Sequence, residues 1–307
     1  MKTILRNPIL LAAVLMFVTT VSRAQTAYAI ANNGSSLIKF DLATPGSTFL
    51  VGNFSGAAAS LDGIDFRPTD GLLYGYGVTG NALVTIDLLT AATTAVPFPA
   101  IASTSDDLGI DFNPVADRLR LVNVSDQNLR INTGTGATTA DTALAYIAGD
   151  PNFGVNPAIN EVAYTNSDTN PATGTSLFYI DYGRDILVRT LDPNAGSLQT
   201  VGSLGVDTTG FTGFDILSDG LGGNVAYALL TAPSGTASLY TVNLSTGAAT
   251  SVGIISQAAA TRPYSLAIAP PIPEPGTGLV GLALTLVCLL RRQHRGARGA
   301  SFPIAHS

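Results

Sequence analysis

The segment "LDGIDFRP" (residues 61–68) recurs 46 residues later as "LGIDFNP" (residues 108–114). Three further segments share its apolar core: "INEVAYTN" (159–166), "FTGFDILS" (211–218) and "YSLAIAP" (264–270). Once the five segments are aligned, their central residues are 46, 52, 52 and 52 positions apart, and these residues are Asp65, Asp111, Ala163, Asp215 and Ala267. A repeat of this length indicates a fold assembled from similar supersecondary units, each of which packs against its neighbours.

Each repeat contains four short stretches with the alternation of a β-strand. The central segment is followed by a second strand, such as "LLYGYGV" (72–78), and then by a hairpin, such as "LVTIDLLTAATTAV" (83–96). The first arm of each hairpin ends in an Asp or Asn whose side chain can bond the backbone of the turn, and these residues are Asp41, Asp87, Asn132, Asp192 and Asn243. Helical periodicity is hard to find in residues 25–270, so we predict an all-β domain.

The two ends of the repeat region complement each other. The segment "AYAIANN" (27–33) is a second strand, so the first unit lacks its inner strand, while "YSLAIA" (264–269) is a spare inner strand. Pairing the two would complete a fifth unit and protect both strand edges. We therefore predict a β-propeller of about five four-stranded blades over residues 25–270. A six-bladed propeller and an open β-sandwich are the alternatives, because residues 141–160 fit either a long loop or a degenerate hairpin.

The N-terminal 24 residues have the layout of a secretory signal peptide. Lys2 and Arg6 precede a mostly apolar run, and small residues occupy the positions before a cleavage point between Ala24 and Gln25. We therefore predict that residues 1–24 are a signal peptide and that the chain is exported across the inner membrane.

The C-terminal region has three parts. A Pro-rich linker (271–275) contains Pro273, Glu274 and Pro275, an apolar segment (276–290) follows, and a basic tail (291–307) begins with Arg291 and Arg292. Fifteen apolar residues form a helix of roughly 22 Å at about 1.5 Å per residue. That is short for a hydrocarbon core of about 30 Å. We predict a short transmembrane helix at 276–290 with the basic tail in the cytoplasm, because positive charges are retained on that side.

Both regions resemble known families. The "GIDF" repeats and "AYIAGDPN" (145–152) resemble the domain-of-unknown-function family numbered 4394 over nearly all of residues 27–269, which supports the fold but implies no activity. The ordered linker, apolar segment and Arg cluster resemble the PEP-CTERM sorting signal of Gram-negative bacteria. That resemblance implies that an exosortase-type transpeptidase removes the tail during delivery to the cell surface or extracellular matrix, in a setting of biofilm production. A retained membrane anchor is the alternative.

The composition of residues 25–270 restricts the chemistry. This region has eight basic and twenty acidic residues, a formal charge of −12, so nucleic acid is not an expected partner. The two histidines and the single cysteine all lie after residue 270. A catalytic triad therefore lacks its neutral base, and structural zinc lacks its usual ligands. We expect no enzyme activity and no firm cofactor.

Calcium is the one cofactor for which the sequence offers ligands, since carboxylates in loops suit hard cations. Acid-rich loops occur at 103–109, 166–171 and 205–210, without a twelve-residue calcium-loop pattern. In a propeller the inner strands line a central channel, so Asp65, Asp111 and Asp215 are candidates either for a channel ligand site or for structural hydrogen bonds to neighbouring backbone.

These observations predict an exported, non-catalytic binding or structural module of the cell surface or matrix, with an exopolysaccharide or a surface protein as its partner. The alternative is a secreted, lactonase-like propeller hydrolase that uses a calcium-bound water.

Overall fold

The computed structural model describes residues 25–256 and 262–270. They form an all-β, five-bladed propeller in which each blade has four antiparallel strands, so the predicted fold is confirmed and neither the six-bladed form nor the sandwich applies. Several predictions fall on residues outside those described: the signal peptide up to Ala24, the Pro273-Glu274-Pro275 linker, the segment 276–290 and the tail from Arg291 and Arg292. Among the described residues, no helix is long and apolar enough to cross a membrane.

Blade 1 consists of β22 (Tyr264–Ile268), β1 (Thr26–Ala31), β2 (Ser36–Asp41) and β3 (Thr44–Asn53), from the inside outward. Blade 2 consists of β5 (Gly63–Phe66), β6 (Leu73–Gly77), β7 (Ala82–Ile86) and β8 (Ala92–Ala95), and blade 3 of β9 (Leu108–Asn113), β10 (Arg118–Asn123), β11 (Asn128–Ile131) and β12 (Thr138–Ala140). Blade 4 consists of β14 (Ile159–Tyr164), β15 (Leu177–Asp181), β16 (Ile186–Thr190) and β17 (Ser197–Ser203), and blade 5 of β18 (Thr212–Ser218), β19 (Asn224–Thr231), β20 (Ala237–Val242) and β21 (Ala249–Ile254).

Two connections between blades add a short fifth strand. β4 (Ser55–Gly56) pairs in parallel with β8, and β13 (Ala145–Tyr146) pairs in parallel with β17. The ambiguous stretch 141–160 is therefore a connection that touches the outer edge of blade 4 before it reaches the inner strand β14. Two 3-10 helices, Pro171–Thr173 and Pro193–Ala195, are the helical elements of the described part.

The ring closes as predicted, by pairing of the first and last described strands. β1 and β22 are antiparallel, with Ala27 opposite Ile268 and Ala29 opposite Leu266. The backbone N–H of Ala269 donates to the carbonyl of Thr26 at 2.9 Å, which extends the pairing beyond the strands. All five blades and both closing strands thus lie within residues 25–270.

The core is divided among the spaces between blades. Inner-strand residues on either side of each repeat centre are buried apolar groups, such as Ile110 and Phe112 around Asp111. Phe112 lies edge-on to Tyr74 of the preceding blade, with 5.1 Å between ring centroids. Packing of this kind fixes the blades against one another and holds the inner strands around the ring axis.

Candidate functional site

The structure brings together the three aspartates at the repeat centres. Asp65, Asp111 and Asp215 are all buried, and one carboxylate oxygen from each lies within 4.8 Å of the other two. They lie on β5, β9 and β18, the inner strands of blades 2, 3 and 5. We call this cluster the aspartate triad.

Each carboxylate of the aspartate triad joins its own blade to the next one around the ring. Asp65 accepts a hydrogen bond from the backbone N–H of Phe112 at 2.7 Å. Asp111 accepts from that of Tyr164 at 3.2 Å, and Asp215 accepts from that of Ile268 at 2.6 Å. In each case the donor follows the centre of the next repeat by one position. An inner strand is an edge strand with unpaired backbone groups, and each of these side chains satisfies one N–H of the neighbouring edge.

The two repeats with Ala at the centre use a different residue for the same purpose. In blade 1, Ser265 accepts a hydrogen bond of 3.0 Å from the backbone N–H of Ile64. In blade 4, the carboxylate of Glu161 accepts from the backbone N–H of Phe214. Ser265 and Glu161 each precede their Ala by two positions, so the link moves two residues along the inner strand and is not lost.

The three repeats with a central Asp have glycine at the position that Glu161 and Ser265 occupy in the others. These glycines are Gly63, Gly109 and Gly213. A Cβ at Gly109 would lie 2.7 Å from the carbonyl oxygen of Asn160, and one at Gly213 would lie 2.8 Å from the backbone nitrogen of Leu266. The next inner strand therefore approaches too closely for a side chain.

Burial and mutual repulsion disfavour the ionised form of the aspartate triad. Burial, together with the charges of its neighbours in the triad, raises the pKa of Asp65 and of Asp111 well above the usual value. Burial raises the pKa of Asp215 to about 7, against the lowering effect of its backbone hydrogen bonds. The triad therefore keeps its protons to a higher pH than free aspartates do. Three carboxylates are a donor set that suits a hard cation such as Ca²⁺, but binding one requires that these protons leave.

A pocket of about 350 Å³ opens at the end of the ring where the inner strands begin. The residue three positions before the centre of every repeat lines it, so all five blades contribute: Asp62, Leu108, Asn160, Thr212 and Tyr264. The remaining lining residues are Asn33, Asp106, Asp107, Glu161, Gly210 and Phe211. Because it is formed by all five blades, it lies at the mouth of the central channel, and we call it the mouth pocket.

The mouth pocket is strongly acidic. Four carboxylates line it, and no Lys or Arg among the described residues does. Burial is the largest cause that raises the pKa of Asp62, Asp107 and Glu161, and the charge of Asp106 adds to it for Asp62 and Asp107. Asp107 also accepts hydrogen bonds from the Asn160 amide at 2.8 Å and from the Tyr182 hydroxyl at 3.0 Å, which hold its carboxylate in place.

Two aromatic rings form the other part of its wall. Phe211 lies edge-on to Tyr264, with 6.2 Å between the ring centroids. The Tyr264 hydroxyl donates to the carbonyl of Leu61 at 3.1 Å, which fixes the ring. The guanidinium of Arg262 lies 5.2 Å from the Phe211 centroid, in the range of a cation–π contact. The mouth pocket therefore combines hydrogen-bond acceptors with apolar ring surface.

The sequence indicated some of these residues and missed others. Of the acid-rich loops, 103–109 supplies Asp106 and Asp107 and 205–210 supplies Gly210, whereas 166–171 lies elsewhere, with Asp168 accepting from Ser218. Within the described residues, the only group of three or more acidic side chains close enough to share a metal ion is the aspartate triad. Asp62 and Tyr264 could have been found from the repeat, because each lies three positions before the central residue of its repeat.

Comparison with known proteins adds a family but no activity. No curated protein matches the chain. One similar solved chain comes from a crystal structure of a nidogen/laminin complex, with 11% identity, a TM-score of 0.48, and coverage of 80% of this chain and 98% of that one. Another is an auxiliary nutrient binding protein from Bacteroides thetaiotaomicron VPI-5482, with 16% identity, a TM-score of 0.38, and coverage of 57% of this chain and 43% of that one. A family model described as "Domain of unknown function (DUF4394)" matches residues 36–264, and the chain belongs to this family.

Proposed function

We propose that this chain is a non-catalytic binding module of the cell surface or extracellular matrix, and that its mouth pocket binds a neutral, hydroxyl-rich ligand such as an exopolysaccharide. The observation that carries the proposal is the lining of that pocket, in which four carboxylates lie beside two aromatic rings. Among the described residues no Lys or Arg belongs to the lining, although the Arg262 guanidinium lies over the Phe211 ring. A surface protein that presents hydroxyl or amide groups is the alternative partner.

Each feature of the mouth pocket suits a sugar. Carboxylates accept hydrogen bonds from hydroxyl groups, and the parts of the Phe211 and Tyr264 rings that line the pocket offer apolar surface for a pyranose ring. A volume of about 350 Å³ falls in the range of small-ligand sites. The four acidic groups repel anionic ligands from the mouth pocket, and the formal charge of −12 on residues 25–270 adds to the repulsion there.

The proposed location rests on the two ends of the chain. The signal peptide directs export across the inner membrane, and the PEP-CTERM-like tail directs the exported chain to an exosortase-type transpeptidase. Intact-mass analysis of the protein from its native culture tests this. A mature chain that begins at Gln25 and lacks residues 276–307 would support the proposal, and a chain that keeps 276–307 in the membrane fraction would show a retained anchor.

The binding function is tested by co-sedimentation of recombinant residues 25–270, which hold all five blades, with the purified exopolysaccharide of the source bacterium. Samples contain either Ca²⁺ or EDTA, and the supernatant is analysed for released fragments. We expect saturable retention in both buffers without fragments. Absence of retention in both would reject the polysaccharide and direct the search to protein partners.

A second candidate function is a hydrolase that uses a calcium-bound water. The aspartate triad favours it, since its three carboxylate oxygens lie within 4.8 Å of one another. Against it, each carboxylate already accepts a backbone N–H of the next blade. Product formation that EDTA abolishes in the same co-sedimentation samples would favour this candidate over the binding module.

A further inference from the structure

A second pocket, of about 270 Å³, lies between blades 3 and 4. Asn113 ends β9 and Tyr164 ends β14, so this pocket is at the opposite end of the inner strands from the mouth pocket. Its lining residues are Asn113, Ala116, Arg118, Arg120, Arg130, Tyr164, Pro193 and Asn194. We call it the arginine pocket, because three of the eight arginine and lysine side chains in residues 25–270 line it.

The arginine pocket has an excess of positive charge. Asp141 pairs with both Arg120, at 2.7 Å, and Arg130, at 2.6 Å. Within the described residues, no carboxylate forms an ion pair with Arg118, whose side chain donates to the carbonyl oxygens of Ala116 and Asp117. The three guanidinium groups thus share one ion-paired carboxylate, and no carboxylate among the described residues lines the pocket.

The neutral polar side chains of the arginine pocket have their acceptor atoms occupied and their donors free. The Asn113 Oδ1 accepts from the backbone N–H groups of Val115 and Ala116, both at 2.9 Å. The Asn194 Oδ1 accepts from Arg120 at 3.0 Å. In the described structure, neither amide nitrogen, Nδ2 of Asn113 or of Asn194, donates to a protein acceptor.

The buried hydroxyl of Tyr164 behaves in the same way. It accepts from the Arg120 Nε at 3.3 Å, and no acceptor for its own proton is found among the residues that the structure describes. Burying a hydroxyl without an acceptor for its proton is costly unless a ligand or water supplies one. The pocket therefore presents donors from three neutral side chains as well as guanidinium groups.

We propose that the arginine pocket binds an oxyanion, that is, a sulfate, a phosphate or the carboxylate of an acidic sugar. An oxyanion offers several acceptor oxygens and no donor, which complements a donor-lined, positively charged cavity. All three guanidinium nitrogens of Arg120 donate hydrogen bonds within the protein, and this side chain is almost completely buried, so it positions the site. Arg118 and Arg130 are partly exposed and accessible for direct contact. This inference goes beyond the proposed function and does not depend on the mouth pocket.

Titration of residues 25–270 with sodium sulfate, sodium phosphate and sodium glucuronate tests the proposal. Backbone and side-chain amide signals are followed by NMR, at constant ionic strength maintained with a chloride salt. We expect saturable shifts of the Asn113 and Asn194 side-chain amide signals with at least one of the three anions. The three titrations distinguish a sugar carboxylate from the inorganic anions.

Two variants locate the binding. Arg118→Gln removes a guanidinium that bonds only to backbone carbonyls, so the fold should be preserved, and we expect affinity to fall about tenfold for the loss of a charge-assisted bond. Lys39→Gln, in blade 1, removes the same charge away from the pocket and should change the affinity less than about twofold. Absence of Asn113 and Asn194 shifts with all three anions, or equal loss of affinity in both variants, would overturn the proposal.

Discussion

The carboxylate of Asp65 in blade 2 accepts a hydrogen bond of 2.7 Å from the backbone N–H of Phe112 in blade 3. A side chain of one repeat thereby accepts a hydrogen bond from a backbone N–H on the inner strand of the next repeat. The same relation recurs around the ring, from Asp, Ser or Glu according to the repeat. The inner strands are thus joined by side chains as well as by the packing between blades.

Replacement of Asp65 tests this link. Asp65→Asn keeps an acceptor oxygen, whereas Asp65→Ala leaves the buried N–H of Phe112 without one, and both variants remove the ionisable carboxyl group. We expect the Ala variant to be less stable than the Asn variant by about 1–3 kcal/mol, the cost of an unsatisfied buried donor. Urea unfolding of the two variants measures the difference. Equal stabilities would mean that the hydrogen bond contributes nothing.

The close spacing of the inner strands requires a glycine two positions before each central Asp. Gly109→Ala should destabilise the domain by about 1–3 kcal/mol, because its Cβ would lie 2.7 Å from both Asn160 O and Glu161 Cα. Gly46→Ala is the matched control, since the nearest heavy atom to its Cβ lies at 3.5 Å. Thermal unfolding of both variants checks the prediction, and similar midpoints would contradict it.

The raised pKa values of the aspartate triad predict that the domain becomes less stable as the pH rises towards neutral. The pKa of Asp215 is about 7 in the folded state, and an unfolded Asp has a value of about 3.9. Between these values the folded state binds more protons than the unfolded state, so the free energy of unfolding falls as pH rises. The slope for one such group approaches 1.4 kcal/mol per pH unit, as an order-of-magnitude estimate.

We therefore expect the domain to unfold at a higher urea concentration at pH 5 than at pH 7.5, and Asp215→Asn to weaken this dependence. Below pH 5 the effect is opposed by carboxylates with lowered pKa values, such as Asp141 beside Arg130 and Arg120, so the comparison stays above that pH. A wild-type domain that is more stable at pH 7.5 would contradict the electrostatic account of the triad.

Calcium should leave the thermal stability nearly unchanged. Burial and mutual repulsion oppose full ionisation of the aspartate triad, and its carboxylates already accept three backbone hydrogen bonds, so we expect 5 mM Ca²⁺ at pH 7.5 to shift the unfolding midpoint by less than about 1 °C. A ligand at a hundred times its Kd would raise it by roughly 5–10 °C. Differential scanning calorimetry measures the shift. A rise of that size that Asp65→Asn abolishes would favour the calcium-dependent hydrolase.

The blade architecture was predictable from the sequence because the repeat spacing, the turn residues and the spare strand at the C-terminal end all report one periodic unit. The blade boundaries followed from the same pattern. The two-residue strands β4 and β13 were not foreseen, since a pair of residues carries no alternation and their pairing depends on where the connection passes.

The candidate site was only partly predictable. The convergence of Asp65, Asp111 and Asp215 followed from their equivalent positions in the repeats. That Glu161 replaces the missing carboxylate at Ala163 as the acceptor for the next blade could not be predicted, because it depends on how neighbouring inner strands are shifted relative to each other. The arginine pocket depends on residues from two blades and on the connection after β16, so no single motif marks it. Contacts between repeats that differ in sequence depend on the three-dimensional arrangement of the blades and cannot be predicted from a motif.

The most direct test of the central claim is the affinity of mouth-pocket variants of residues 25–270 for the exopolysaccharide used in the co-sedimentation test, measured by isothermal titration calorimetry. Phe211→Ala removes ring surface, and Asp106→Asn alters an exposed lining carboxylate. Asp219→Asn is the control, because Asp219 is an exposed turn residue outside the pocket. We predict that the first two weaken binding at least about fivefold while the control binds as the wild type does. Equal affinity of all four proteins, with measurable binding by the wild type, would contradict the assignment of the ligand site to the mouth pocket.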